Sequence, residues 1–144
     1  MKTQYLHDMW STPDNSRLVS KQFSFRLPVH IAAKIAALGD IYPQKNRTQI
    51  VADLLSAAID DLEKNLPYIT LEVDEHTQRD YDAYAHHQGI ESEQLYEIGG
   101  VKAKFRALAN RYYGEHEKEL GNESALKLYE DINGSKEYIA EQLK

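Results

Sequence analysis

The sequence of 144 residues contains no cysteine, and none of its apolar runs approaches the length of a membrane span. Without cysteine there are no disulfides and no thiolate-ligated zinc sites, which agrees with a reducing cytoplasm. A helix needs roughly 18 consecutive apolar residues to cross a bilayer, and the first residues lack the apolar segment of a secretory signal. We therefore expect a cytoplasmic protein without a membrane partner.

An excess of positive charge is also missing, since the formal net charge is −6. The acidity belongs to the second half of the chain. Residues 1–66 hold eight Lys/Arg and seven Asp/Glu, whereas residues 67–144 hold nine and sixteen, so the two halves carry +1 and −7. Because screening limits the reach of exposed charges to about 8–10 Å, a local basic face in the first half is enough for a nucleic-acid contact.

Motifs of enzyme chemistry are absent from the sequence. No nucleophile–base pair, phosphate-binding loop or paired-carboxylate signature stands out, so we predict no enzymatic activity and no cofactor. His76 and Asp80 have the i, i+4 spacing of metal ligands, but two such residues are common by chance. His86 and His87 point about 100° apart on a helix and do not share a metal. We therefore predict no metal site.

Apolar and polar residues alternate over residues 21–27. The apolar set is Phe23, Phe25 and Leu27, and the polar set is Gln22, Ser24 and Arg26. A period of two predicts a strand with one buried face, and Pro28 ends it because proline donates no ladder hydrogen bond. The preceding residues 1–19 are predicted to form a flexible arm, ordered at most around Tyr5, Leu6, Met9 and Trp10.

Two helices are predicted after the strand. The first runs from Val29 to about Leu38 on its apolar spacing, and Gly39 is predicted to stop it. The second begins at Asn46, because Asn46 and Gln49 have the spacing of a capping box. It carries a broad apolar stripe made of Ile50, Val51, Leu54, Leu55, Ala58, Ile59 and Leu62.

A lone amphipathic strand is unstable in water and needs a partner, and the first half contains no second strand pattern. We therefore predict that two copies of the chain pair this strand antiparallel across a two-fold axis. Phe23, Phe25 and Leu27 of both copies then form a dimer core on the helices. Gln22, Ser24 and Arg26 of both copies face outward on one exposed ribbon.

The order of strand Gln-Phe-Ser-Phe-Arg-Leu-Pro, helix, turn and capped helix Asn-Arg-Thr-Gln-Ile-Val resembles the ribbon-helix-helix repressors of the Arc and MetJ type. The resemblance covers about residues 20–65, and the connector Gly39–Lys45 is longer than in many members. It implies a mainly α fold, an intertwined homodimer and double-stranded DNA as the partner. By position, the base-contacting residues are Gln22, Ser24 and Arg26, and the second helix would clamp a phosphate with Asn46, Arg47 and Thr48.

Elementary chemistry agrees with these roles. The major groove admits a two-stranded ribbon, where Arg pairs with guanine, Gln with adenine and Ser with several bases. A helix N-terminus offers N–H groups and a positive dipole end to a phosphate. Lys21 and Lys45 add positive charge beside the two predicted sites, and we count them among the phosphate contacts.

The second half, residues 67–144, is predicted to be an acidic and mostly helical domain that holds eight of the ten tyrosines. We predict a strand at Tyr68–Val73, a helix at Glu75–His87, a turn at Gln88-Gly89, a long helix at Ser92–Tyr113 and one or two short terminal helices. Its role is left open between oligomerisation, including higher oligomers on DNA, and binding of a small-molecule effector or a protein.

Three functions therefore remain open at this point. The expected one is a transcription regulator, in particular a repressor, whose residues 20–66 bind DNA and dimerise. The alternative is an antitoxin that binds DNA through its first half and neutralises a toxin through its acidic second half. The third is an interaction module that uses the strand pair only to dimerise.

Overall fold

The computed structural model describes residues 2–10 and 17–144. The fold is mainly helical with one small antiparallel sheet, in agreement with the predicted class. The chain divides into two compact units, Met1–Asn65 and Leu66–Lys144. Within the described ranges, no helix has the length and apolarity needed to traverse a bilayer.

The first unit begins with a 3-10 turn, Thr3–Tyr5, that continues into helix α1, Leu6–Met9. Two longer helices follow, α2 (Val29–Ile41) and α3 (Arg47–Asn65). Leu6 and Trp10 are buried with Ile50 and Ala57 of α3, and the partly buried residues packed against this cluster are Leu38, Tyr42 and Leu54. Residues 2–10 of the expected flexible arm are thus folded, and Leu6 and Trp10 belong to the core. Residues 17–19 are exposed and have no regular secondary structure, while residues 1 and 11–16 of the arm lie outside the described residues.

Helices α2 and α3 meet at a corner. The sequence predicted the start of α3 correctly but not the end of α2. Helix α2 does not stop at Gly39 but continues to Ile41, and the Tyr42 N–H donates to the Leu38 carbonyl at 2.9 Å. The start of α3 is as predicted. The Gln49 N–H donates to Asn46 Oδ1 at 2.8 Å and the Asn46 N–H donates to Gln49 Oε1 at 3.1 Å, which confirms the capping box.

Residues 22–28 have no regular secondary structure in the single chain. The predicted strand is not seen as part of a sheet, because the described part of the first unit contains no other strand to pair with it. At its end, the Pro28 carbonyl accepts hydrogen bonds from the N–H groups of Ile31 and Ala32 at 3.1 and 3.0 Å. Pro28 therefore joins the segment directly to the first turn of α2.

The second unit is a three-stranded antiparallel sheet with three helices. The strands are β1 (Ile69–Glu72), β2 (Tyr96–Gly99) and β3 (Asn133–Gly134), in the order β1-β2-β3. The helices are α4 (Glu75–Gln88), α5 (Gly100–Glu119) and α6 (Lys136–Gln142), and the buried apolar residues are Val73, Ala85 and Ile139. The strand predicted at Tyr68–Val73 and the helix at Glu75–His87 are both present, and Gly89 closes α4 with φ +68°.

The long helix predicted at Ser92–Tyr113 is wrong in its first part, because Tyr96–Gly99 is a strand. The helical spacing of apolar residues continues across the junction and conceals it. Gly99 lies so close to β1 that a Cβ there would approach Leu71 Cδ1 to 2.6 Å. Gly100 has φ +80°, a conformation that favours glycine, and turns the chain from β2 into α5. The glycine pair is therefore an element boundary rather than a weak point inside a helix.

Candidate nucleic-acid interface

The segment predicted to read DNA is exposed on both of its faces. Gln22, Ser24 and Arg26 are all exposed, as the predicted contact role requires. Phe23 and Phe25 are also exposed, with 62% and 77% of their surface open, and Leu27 is similar. A strand with one buried face normally hides every second side chain. Within the described part of the single chain, this apolar face is uncovered.

Helices α2 and α3 of the first unit also expose apolar residues. All 13 residues of α2 are described and none is buried, and Val29 is 86% exposed. On α3 the outer part of the predicted apolar stripe is open as well, through Leu55, Ile59 and Leu62. Scattered apolar residues are ordinary on a protein surface, but large exposed sets mark interaction sites. The part of the first unit that is buried lies on the other side of α3, at Ile50 and Ala57.

The predicted phosphate clamp lies at the exposed start of α3. Asn46, Arg47 and Thr48 are exposed. The Asn46 side chain is engaged by Gln49 in the capping box. Among the described residues, the backbone N–H groups of Arg47 and Thr48 donate no hydrogen bond. These two groups and the positive end of the helix dipole are what a phosphate oxygen requires.

The two lysines predicted to add charge behave differently. Lys21 is exposed beside the polar set of the strand. Lys45 is only 6% exposed, and its backbone N–H donates to the Tyr42 carbonyl at 3.1 Å. Lys45 therefore belongs to the packed corner between α2 and α3 rather than to the open surface, and Arg47 is the exposed cation at the start of α3.

Residues 2–10 are held in place by a polar contact that no sequence pattern had indicated. Trp10 Nε1 donates to Asp53 Oδ2 at 2.7 Å, and both residues are buried. The Tyr42 ring meets the Trp10 ring edge-on with centroids 5.0 Å apart, and its hydroxyl shares a 2.6 Å hydrogen bond with His7 Nδ1. The lone tryptophan of the sequence, four residues after Leu6, was the available signal for a short buried helical face.

The second unit contains a polar cavity of about 390 Å³. It is lined by the start of α4, by β2, by α5 and by the loop before β3, and its charged lining residues are Asp74, Glu97, Arg106, Glu130 and Asp131. The Arg106 guanidinium lies 4.9 Å from the centroid of the Tyr129 ring. The Asn110 side chain fixes the same loop, since it donates to the Tyr129 carbonyl and accepts from the Tyr129 N–H, both at 2.9 Å.

The chemistry of this cavity favours positive over negative ligands, because four carboxylates face one guanidinium. The Thr77 N–H donates to Asp74 Oδ1 at 2.8 Å and holds the pKa of that carboxyl below its usual value. Asp74 thereby stays ionised while it caps α4. Among the described residues, no three His, Cys, Asp or Glu side chains converge as metal ligands. His76 and Asp80 form an exposed pair at 3.5 Å on α4.

No protein-family model matches this chain, and no match exists among curated proteins or solved structures. Its function is therefore inferred from the chemistry and geometry of its own residues.

Proposed function

We propose that this chain is a cytoplasmic, sequence-specific DNA-binding regulator, acting as a repressor, that reads the major groove with a β-ribbon shared by two copies. One observation carries the proposal. Residues 22–28 leave both an apolar and a polar face uncovered, directly before two helices that also expose apolar residues, at Val29 and Ile41 of α2 and at Leu55, Ile59 and Leu62 of α3. This exposure is explained by a partner that covers the apolar face of residues 22–28 and leaves their polar face free.

The backbone N–H and C=O groups of residues 22–27, which are unpaired among the described residues, favour a second copy of the same segment as the partner. Antiparallel pairing supplies the ladder hydrogen bonds that an isolated strand lacks. It also places the apolar residues of both copies on one side, where the open surface of α2 and α3 lies next to them in the chain. Burial of a Phe or Leu side chain contributes about 1.5–3 kcal/mol, so three such residues per copy favour association strongly.

The opposite side of the ribbon then presents Gln22, Ser24 and Arg26 twice, related by the two-fold axis. These side chains have the donors and acceptors that discriminate base pairs in the major groove. The start of α3 supplies one phosphate clamp per copy through Arg47 and Thr48. Because screening limits the reach of exposed charges to about 8–10 Å, the net acidity of the second half does not by itself exclude a DNA contact in the first half.

The fold of the second unit bears on the antitoxin alternative. Toxin-binding tails are often disordered when alone, as expected for segments that fold on binding. Residues 66–144 instead form a compact unit with a sheet, three buried apolar residues and a polar cavity. This arrangement supports an effector-binding or oligomerisation domain joined to the DNA reader.

The proposal is tested by selecting the sequences that the full chain binds from a pool of random DNA. We expect one enriched motif with two-fold symmetry, because the reading face is repeated by the dimer axis. We also expect binding that weakens steeply as salt rises. A folded dimer that binds no DNA even at low salt would contradict the proposal and favour the module that only dimerises.

A further inference from the structure

We infer that residues 2–10, which we call the strap, fix the position of the proposed phosphate clamp at the start of α3. Trp10 is the positioning residue of the strap. The inference rests on the proposed function, because the ligand of the clamp is a backbone phosphate of DNA. The clamp itself consists of the N–H groups of Arg47 and Thr48 and of the exposed Arg47 cation at the start of α3. The strap does not supply any of these groups, so its role is to fix where they point.

The strap is attached to α3 by apolar and polar contacts. Leu6 and Trp10 lie four residues apart on one face of a short helical turn and are each 4% exposed. They pack with Ile50, which is fully buried in the first turn of α3. One turn further along, Asp53 accepts the 2.7 Å hydrogen bond from Trp10 Nε1. A buried carboxylate that loses its donor is costly, so this bond favours the docked strap.

The strap is also attached to the corner that precedes the clamp. The Trp10 ring packs edge-on against Tyr42, and His7 bonds the Tyr42 hydroxyl. The Tyr42 carbonyl in turn accepts from the N–H of Lys45, the residue directly before Asn46. Contacts therefore run without a break from Trp10 through Tyr42 and Lys45 to the first residues of α3.

A clamp held in this way binds a phosphate without first losing conformational freedom, which is how preorganisation raises affinity. A loosened strap leaves the corner and the clamp mobile. The base-reading face of the ribbon is made of other residues, Gln22, Ser24 and Arg26. Loss of the strap is therefore expected to reduce the number of phosphate contacts while the preference among base sequences persists.

The test compares Trp10→Phe with the wild-type full chain. Phenylalanine keeps an aromatic ring in the cluster but removes the donor to Asp53. The association constant for one selected duplex is measured by fluorescence anisotropy over a range of salt. The slope of its logarithm against the logarithm of salt concentration is expected to fall by about 1.8, since the Arg47 cation neutralises one phosphate in each of two clamps and each such contact contributes about 0.9. The preference for the selected duplex over a scrambled one stays the same.

Two variants serve as matched controls. Tyr5→Phe changes an exposed residue of the same strap and is expected to keep the wild-type slope. Asp53→Asn retains an amide oxygen that accepts from Trp10 Nε1, and is expected to keep most of the slope. A change that merely weakened the fold would instead lower the affinity for both duplexes without altering the slope.

The outcomes separate the two proposals. A wild-type chain without salt-dependent DNA binding contradicts the proposed function. A wild-type chain that binds, with an unchanged slope in Trp10→Phe, overturns the strap alone. If Trp10→Phe fails to fold by circular dichroism, Asp53→Ala takes its place, because it removes the acceptor of the Trp10 bond from the side of α3. An unchanged slope in Asp53→Ala then overturns the inference.

Discussion

Arg26 is the residue whose chemistry makes the sharpest prediction about sequence reading. Its guanidinium lies on the exposed polar face of residues 22–28, and Arg pairs bidentately with guanine in the major groove. Arg26→Ala is expected to weaken specific binding by roughly 1–3 kcal/mol and to relax the preference at one position of each half-site. Arg111→Ala, which removes an exposed arginine of α5, is the control. An unchanged preference among site variants would count against a base contact.

Two substitutions at Asn46 distinguish its effect on stability from its effect on phosphate binding. Asn46→Ala removes the acceptor that caps α3 and is expected to lower the free energy of unfolding by about 1 kcal/mol. Asn46→Asp keeps the acceptor, and its charge suits the helix dipole, so we expect wild-type stability in thermal unfolding. The same charge repels a phosphate, so the Asp variant is expected to bind DNA more weakly. Equal DNA affinity for wild type and Asn46→Asp would contradict a clamp at this helix start.

Asp74 gives the second unit a defined response to acid. The Thr77 N–H lowers the pKa of Asp74 from its ordinary value of 3.8. A carboxyl with a lowered pKa in the folded protein adds stability above its ordinary pKa and loses it as the pH falls through the folded value. Asp74→Asn keeps the cap without this titration. The midpoint temperature of thermal unfolding of the second unit is therefore expected to fall less in the variant than in wild type when the pH is lowered past 3.8. A parallel fall in both proteins would contradict the assigned cause.

At the scale of the element, Phe25 tests whether residues 22–27 are a dimer core. Its ring is 77% exposed in the single chain and would be buried in a paired ribbon. Phe25→Ala is expected to destabilise the dimer by about 3–5 kcal/mol, read as a shift in the midpoint of denaturant unfolding at equal protein concentration. Leu126→Ala, at an 84% exposed leucine of the second unit, is the control. A Phe25→Ala variant that unfolds like the wild type would argue against strand pairing.

Elements with local signals were predictable from the sequence, and elements set by distant contacts were not. The capping box at Asn46 and Gln49 depends on residues three apart, and its two hydrogen bonds are present. The Trp10–Asp53 bond joins residues 43 apart in sequence, and no local pattern encodes it. At β2 the helical spacing was misleading, because it persists across a strand–helix junction that only Gly99-Gly100 marks.

In the candidate site too, some features were predictable from local patterns and others depend on distant contacts. The alternation of apolar and polar residues predicted that Gln22, Ser24 and Arg26 are exposed and that Phe23, Phe25 and Leu27 are buried; in the single chain both sets are exposed, so the predicted burial stays a prediction about the dimer. The burial of Lys45 did not, because it depends on how the corner between α2 and α3 packs around Tyr42. The polar cavity of the second unit gathers residues from four separate segments, and their proximity is a property of the sheet topology rather than of any short motif.

For the whole molecule, the central claim is that two copies share an antiparallel ribbon at residues 22–27. In such a pair the distance between equivalent residues grows by about 6.6 Å for each step away from the two-fold axis, twice the rise per residue of a strand. The chain has no cysteine of its own. A single cysteine at position 22, 24 or 26 therefore carries a spin label at one known site.

The most direct measurement is the distance between equivalent spin labels at positions 22, 24 and 26 of the chain, taken by pulsed electron resonance in the absence of DNA, because these residues are the proposed base contacts. We predict short distances that vary in steps set by this geometry, with the minimum inside residues 22–27. Absence of any dipolar coupling between copies, or distances that do not follow the antiparallel pattern, would contradict the shared ribbon.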